Sequence, residues 1–213
     1  MKSIVIWGIG GHAREVAQLV ADIEANQPGT WALRGFLVDT GAETQHPQSL
    51  PAPLLGGLEW SVANPDVWCV VAVGNPELRR QITERLLVAN PHAQFALLVH
   101  PRAWVVHTAQ VGEGSVVFAQ SCVSDHVQIG KHASINLACT LSHDSVLGDF
   151  VSLGPGVKLC GGVKVASHCE LGAGVTVIPN VEINTGAVVG AGAVVTRSLP
   201  SGVIAVGVPA RAK

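Results

Sequence analysis

No run of basic residues occurs in this 213-residue chain, only 13% of its residues are charged, and its formal net charge is −2. Such a surface has little with which to neutralise the phosphates of a nucleic acid. No apolar stretch approaches the ~18 uninterrupted residues that suggest a membrane span. The opening "MKSIVIWGIGGH" is too short an apolar run for a secretion signal, because glycines interrupt it at once. There is no C-x-x-C pair, and five cysteines are an odd number. They read as small core residues in a reducing cytoplasm. Disorder is excluded too, since a chain that is 48% hydrophobic can bury enough apolar surface to offset the entropy of ordering. What remains is a soluble cytoplasmic protein of one domain or two small ones.

What is present falls into two halves with different periods, expected to divide into residues 1–101 and 102–213. In the first, "SIVIWG", "RGFLVD" and "VWCVVAVG" are short apolar runs that read as buried strands. "HAREVAQLVADIEA" carries Val16, Leu19, Val20 and Ile23 at helical spacing. "NPELRRQITERLLVA" offers Asn75 as an N-cap, Pro76 at the first helical position and Glu77 in the first turn. Alternating β and α elements imply a small parallel sheet, about half a nucleotide-binding domain.

The second half keeps a period of six. From Val105 in steps of six to Val195, all sixteen positions are Val, Ile or Leu. Four places after each comes a second inward candidate, small or aliphatic: Ala109, Ser115, Ser121, Val127 and onward to Leu199. Neither a helix nor a hairpin sheet has this period, but a coil of short parallel strands does. Three hexads make one triangular coil, so the segment holds about five coils spaced ~4.8 Å apart. Parallel crossovers are normally right-handed, and periodicity alone does not set the hand.

Against this pattern, "LSHDSVLGD" (141–149) places His143 at the third place of its hexad, an outward position that packing does not require. Histidine is the side chain poised to take a proton near neutrality, and a nearby carboxylate would fix its tautomer. Two aspartates compete for that role. Asp144 is adjacent, but neighbours on an extended strand point to opposite faces, so it reaches His143 only if the chain bends there. Asp125 lies one coil away in the same column. "GIGGHA" (8–13) matches G-x-G-x-x-A between a strand and a helix, where backbone N–H groups can meet phosphate or merely make a tight turn.

The unbroken hexads resemble those of the left-handed β-helix acyltransferases. "GIGGHARE", "GFLVD", "VVAVGNPELRRQI", "LVHPRA" and "VGVPAR" narrow the resemblance to the sialic acid O-acetyltransferase group, which includes nucleotide-amino-sugar N-acetyltransferases. That resemblance implies a left-handed β-helix behind a half-Rossmann-like domain. It also implies a homotrimer with active sites between adjacent prisms. The nucleotide sugar would sit on the first domain and acetyl-CoA along the prism, with no metal. By position it implies nucleotide-sugar contacts at Gly10, Gly11, His12, Asp39, Gly74 and Asn136. His143 matches the catalytic base and Asp144 its acidic neighbour. Gly161, Ala173 and Thr185 match acetyl-CoA contacts. Ser152 stands where some relatives carry a second histidine near the thioester, and a hydroxyl there can still donate a hydrogen bond.

The expected reaction is direct N-acetylation of a nucleotide-linked amino sugar, a UDP-4-amino sugar in the first instance. O-acetylation of a sialic acid or another sugar hydroxyl is the alternative within the family. A γ-carbonic-anhydrase-like zinc enzyme is a remote rival, since His107 and His143 are 36 apart, but Gly148 stands where a third ligand is needed. A non-enzymatic solenoid would show repeated outward columns, whereas the column through His143 is mixed. Arg211 and Lys213 can pair with CoA phosphates or simply be solvated.

Overall fold

A computed structural model describes residues 1–39 and 49–213. The first domain is a parallel sheet of β1 (Lys2–Trp7), β2 (Trp31–Leu37), β3 (Leu54–Gly56) and β4 (Trp68–Val71), in the order β3-β2-β1-β4. β1 is central because both its faces are buried, by Ile4 and Ile6 on one side and Val5 and Trp7 on the other. Helix α1 (Gly11–Asn26) lays Val16, Leu19, Val20 and Ile23 into the core. Helix α3 (Pro76–Ala89) starts as its sequence dictates: the Asn75 side chain accepts from the Leu78 N–H at 2.9 Å, with Pro76 next. β3 and the short helix α2 (Leu58–Ala63) had no counterpart in the sequence reading.

The second half is a three-sided prism of two-residue parallel strands. Its first face runs from Trp104–Val105 to Val194–Val195 in six strands, and its second from Gln110–Val111 to Glu182–Ile183 in five. The third begins at Leu98–Val99, before the expected division, and ends with Ile204–Val206 and an antiparallel Arg211–Ala212. Fourteen of the sixteen hexad positions, Val117 to Val195, are at most 4% exposed. Only Val105 and Val111, in the first coil, are partly buried. Where the second inward position is serine, its hydroxyl finds a backbone carbonyl fifteen residues on: Ser115 with Gly130, Ser121 with Asn136, Ser145 with Cys160. Buried hydroxyls are thereby satisfied.

The corners share one backbone device. From Gly114 to Gly192 every sixth residue has a left-handed φ, glycine at six positions and Gln120, His126, His132, Ala138, Asp144, Phe150, His168 and Asn180 at the others. This conformation turns the chain about 120° between faces, and an L-residue tolerates it at modest cost.

The α/β domain docks on the third face and the corner beside it. The His12 ring lies 5.6 Å from that of Phe118, and its Nε2 is 3.4 Å from the Ser134 hydroxyl. His132 stacks on Phe150 at 5.0 Å and meets Phe95 edge-on at 4.7 Å. His100 Nε2 pairs with Asp22 of α1 at 3.0 Å.

Candidate functional site

Five of the residues expected to meet a nucleotide sugar line one cleft. Gly10, Gly11, His12, Asp39 and Gly74 surround about 340 Å³ at the carboxyl ends of β1, β2 and β4. That end of an open parallel sheet is where such folds take ligands. Gly8 closes the floor: at φ +123° a Cβ there would come within 2.8 Å of the Ala72 carbonyl oxygen, so only glycine fits. Gly10 caps α1 without a side-chain hydrogen bond and no acidic residue occupies its first turn, leaving a positive helix end toward the cleft. A Cβ on Gly74 would meet nothing within 4 Å, so its backbone borders open space. Asp39 pairs with Arg85 at 2.8 Å. Burial lowers the pKa of His12, opposed by Glu15 at 3.5 Å, so its ring is a neutral hydrogen-bonding group at neutral pH.

A second constellation lies elsewhere. His143 sits on the corner between the first and second faces, the edge opposite the face that carries the α/β domain. Its Nδ1 is 2.8 Å from Asp144 Oδ2. The bend that brings neighbours together is the corner itself: Asp144 has φ +59° and its N–H donates to the Asp125 carbonyl at 3.0 Å. An ionised carboxylate only accepts, so Nδ1 carries the proton and Nε2 has the free lone pair. Asp125 is engaged away from His143, accepting from Thr108 Oγ1 and lying 3.7 Å from His126 Nε2. The imidazole rests over Gly161 of the next coil, where a Cβ would lie 2.7 Å from both Cε1 and Nε2.

Apart from Gly161, which lies under the His143 ring, the remaining expected contacts do not join these groups within one chain. Asn136 Oδ1 accepts from the Leu137 N–H at 2.7 Å, a local bend contact. Gly161, Ala173 and Thr185 fall on three different corners, because residues twelve apart are two hexads along and two corners round. Ser152 requires correction. Its hydroxyl is buried, donates to the Gly74 carbonyl at 2.8 Å and accepts from Arg79 Nη2 at 2.9 Å, so its proton is committed to the domain junction and not to a thioester. Arg211 Nη1 donates to its neighbour Ala210. The Cys139 thiol donates to the Gly154 carbonyl and burial pushes its pKa up to about 11, which disfavours a thiolate there. Among the described residues no three His, Cys, Asp or Glu side chains gather as a metal site would need. The sequence reading missed Arg79, which lies on the buried face of α3 with Ile82, Thr83 and Leu86. That register, i, i+3, i+4, i+7, was the available signal.

Comparison with known proteins bears on both constellations. Residues 3–86 match the PglD N-terminal domain model, and residues 144–179 match bacterial transferase hexapeptide (six repeats). The UDP-N-acetylbacillosamine N-acetyltransferase of Bacillus subtilis (strain 168) is 34% identical over 130 residues, 56% of this chain and 52% of that protein. The chain thus spans about half the length of the curated relatives it matches. Solved structures align along nearly their whole length. PerB from Caulobacter crescentus, in complex with CoA and GDP-perosamine, is 33% identical with a TM-score of 0.85, covering 100% of this chain and 98% of that one. The acetyltransferase domain of PglB from Neisseria gonorrhoeae FA1090, in complex with acetyl coenzyme A, is 30% identical with a TM-score of 0.88, covering 100% and 99%.

Proposed function

Because the chain belongs to the nucleotide-amino-sugar N-acetyltransferases of the left-handed hexapeptide-repeat β-helix class, we propose that it moves the acetyl group of acetyl-CoA onto the amine of a nucleotide-linked amino sugar. The acceptor is a UDP-4-amino sugar, in keeping with the Bacillus subtilis relative's name. Residues 1–101 bind its nucleotide end and residues 102–213 carry the transfer.

His143 is the base. The amine lone pair forms the C–N bond with the thioester carbonyl carbon and the C–S bond breaks. The amine's proton goes to His143 Nε2 and leaves with the CoA sulfur. Asp144 holds the reactive tautomer and stabilises the imidazolium. The observation that carries this reading is the His143–Asp144 pair at 2.8 Å, with Nε2 unengaged above Gly161.

The enzyme acts as a homotrimer. The α/β domain packs on the third face while His143 occupies the opposite edge, so the prism stands between a chain's own α/β domain and its own base. A neighbouring copy supports the encounter, and it also allows Ala173 and Thr185, on other corners, to meet one acetyl-CoA from different subunits. No described helix is long and apolar enough to cross a membrane. Five free thiols and two metabolite substrates support a cytoplasmic setting.

The test is a thermal-shift panel of UDP-, GDP- and CMP-linked amino sugars with acetyl-CoA, followed by mass spectrometry of the products. Binding to the folded state alone raises its melting temperature. Stabilisation by a UDP-4-amino sugar and a product heavier by one acetyl group are expected. Acetylation confined to a sugar hydroxyl would refute the acceptor assignment.

A further inference from the structure

The two constellations are connected through one side chain. Arg79, on the inner face of α3, is 2% exposed, and its hydrogen bonds go to neutral acceptors. On the domain side Nη1 donates to the carbonyls of Val73 and Gly74 at 2.6 and 3.1 Å, in the loop between β4 and α3. On the prism side Nε donates to the His132 carbonyl at 2.8 Å. Nη2 donates to the Phe150 and Val151 carbonyls and to Ser152 Oγ at 3.1, 3.3 and 2.9 Å. Ser152 closes the circuit by donating back to the Gly74 carbonyl at 2.8 Å.

An apolar residue would fill the same space without burying a charge, and burial disfavours the Arg79 charge, with the Glu170 carboxylate opposing that only in part. The feature that only arginine supplies is a rigid planar fork with five donors. Here the fork spans two successive coils of the prism and the one loop that borders the nucleotide cleft through Gly74. The Gly74 carbonyl is thereby fixed relative to the prism rather than to its own sheet alone. Its backbone borders open space where a ligand has access, so the height of this loop sets one wall of the cleft.

We propose that Arg79 is a positioning residue for the acceptor: by clamping the Gly74 loop to the coils of Ser152 and His132 it presets the nucleotide-sugar cleft against the prism. The proposal rests on the reading of that cleft as the nucleotide-sugar site. It assigns Arg79 no contact with either substrate.

The experiment is steady-state kinetics of the full-length enzyme with the nucleotide amino sugar and acetyl-CoA varied separately, for wild type, Arg79→Met, Arg79→Lys and Ser152→Ala. Arg79→Met is expected to raise KM for the nucleotide sugar on the order of tenfold, since a small misplacement of a positioning group costs that much or more, with KM for acetyl-CoA little changed. Arg79→Lys keeps the charge but not the fork and is expected to recover little. Ser152→Ala, which keeps Arg79 and alters one hydroxyl, is expected to shift the same constant by a few-fold; it carries the test if the arginine variants do not fold. A rise confined to the nucleotide sugar supports the clamp. Equal rises for both substrates, full recovery with lysine, or an unchanged nucleotide-sugar KM in Ser152→Ala and in every folded arginine variant overturns it. If wild type itself shows no saturable response to any nucleotide amino sugar, the reading of the cleft falls first and the clamp with it.

Discussion

The Nδ1 of His143 lies 2.8 Å from Oδ2 of Asp144, its immediate neighbour in the chain. On an extended strand two such side chains diverge. They converge because Asp144 takes the left-handed corner position at φ +59°, so a feature of the coil's architecture also assembles a base and its partner. Asparagine accepts the same backbone conformation, so Asp144→Asn removes the charge while keeping the corner. His143→Ala is expected to lower kcat by on the order of 10²–10⁴. Asp144→Asn is expected to lower it by ~10-fold or more, through loss of the carboxylate charge that stabilises the imidazolium and selects the Nδ1–H tautomer. Asp125→Ala, whose carboxylate serves Thr108, is expected to stay near wild type. Steady-state rates at saturating substrates check the series, and an Asp125 effect as large as that of Asp144 would contradict the pairing.

Gly161 offers a test in which the fold is left alone. The nearest atoms to a Cβ at this position belong to the His143 ring, with Cε1 and Nε2 at 2.7 Å, and that ring is an exposed side chain free to swing. Gly161→Ala is therefore expected to leave the melting temperature unchanged and to displace the imidazole. Misplacing a reacting group by about 1 Å costs up to ~10²-fold, and a fall of that order in kcat is expected. Serine and valine at 161 should follow in order of size. Unaltered turnover in Gly161→Ala would mean that Nε2 does its work from another rotamer.

The hexads were legible because the prism interior leaves each coil one large residue per face, and any other choice opens a cavity or a clash. The parallel pairing of the first sheet and the start of α3 were legible from local pattern, whereas the strand order, with β3 at its edge, was not. Contacts between the halves were not. Arg79 looks like one more charge on an amphipathic helix until its place beside Ile82 and Leu86 is noticed, and its acceptors are backbone atoms that no sequence displays. Ser152 was read from its distance to His143 along the chain, whereas nine residues carry it onto a different face, under the α/β domain. The same arithmetic spreads Gly161, Ala173 and Thr185 over three corners.

Ile135 measures how strictly the interior is filled. It lies in the middle of the prism at 0% exposure, with Val117 and Leu153 as its neighbours in the strands on either side. Ile135→Val is expected to cost ~0.5–1.5 kcal/mol and Ile135→Ala ~2–5 kcal/mol. Urea titration of both variants checks this, with the m-value unchanged. A loss below ~0.5 kcal/mol for alanine would show that the coils relax inward more than close packing permits.

His132 makes the fold sensitive to acid. Its ring is 4% exposed, stacked on Phe150 and met edge-on by Phe95, and its Nδ1 has no hydrogen-bond partner. Burial lowers its pKa from the ordinary 6.5 to about 4, with Arg79 adding to the fall and Glu113 opposing it. Above pH 6.5 neither the folded nor the unfolded chain holds the proton, and the ring contributes no pH dependence. As the pH drops from 6.5 toward 4, the unfolded chain takes up a proton that the folded chain refuses, so stability declines; below 4 both are protonated and the decline stops. Phenylalanine keeps the stack and cannot titrate. His132→Phe is therefore expected to match wild type near neutrality and to lose less stability by pH 4.5, by on the order of 1–3 kcal/mol. Denaturant melts at half-unit steps of pH compare the two curves. Parallel curves across that window would mean that the buried ring takes up its proton in the folded state as readily as in the unfolded chain.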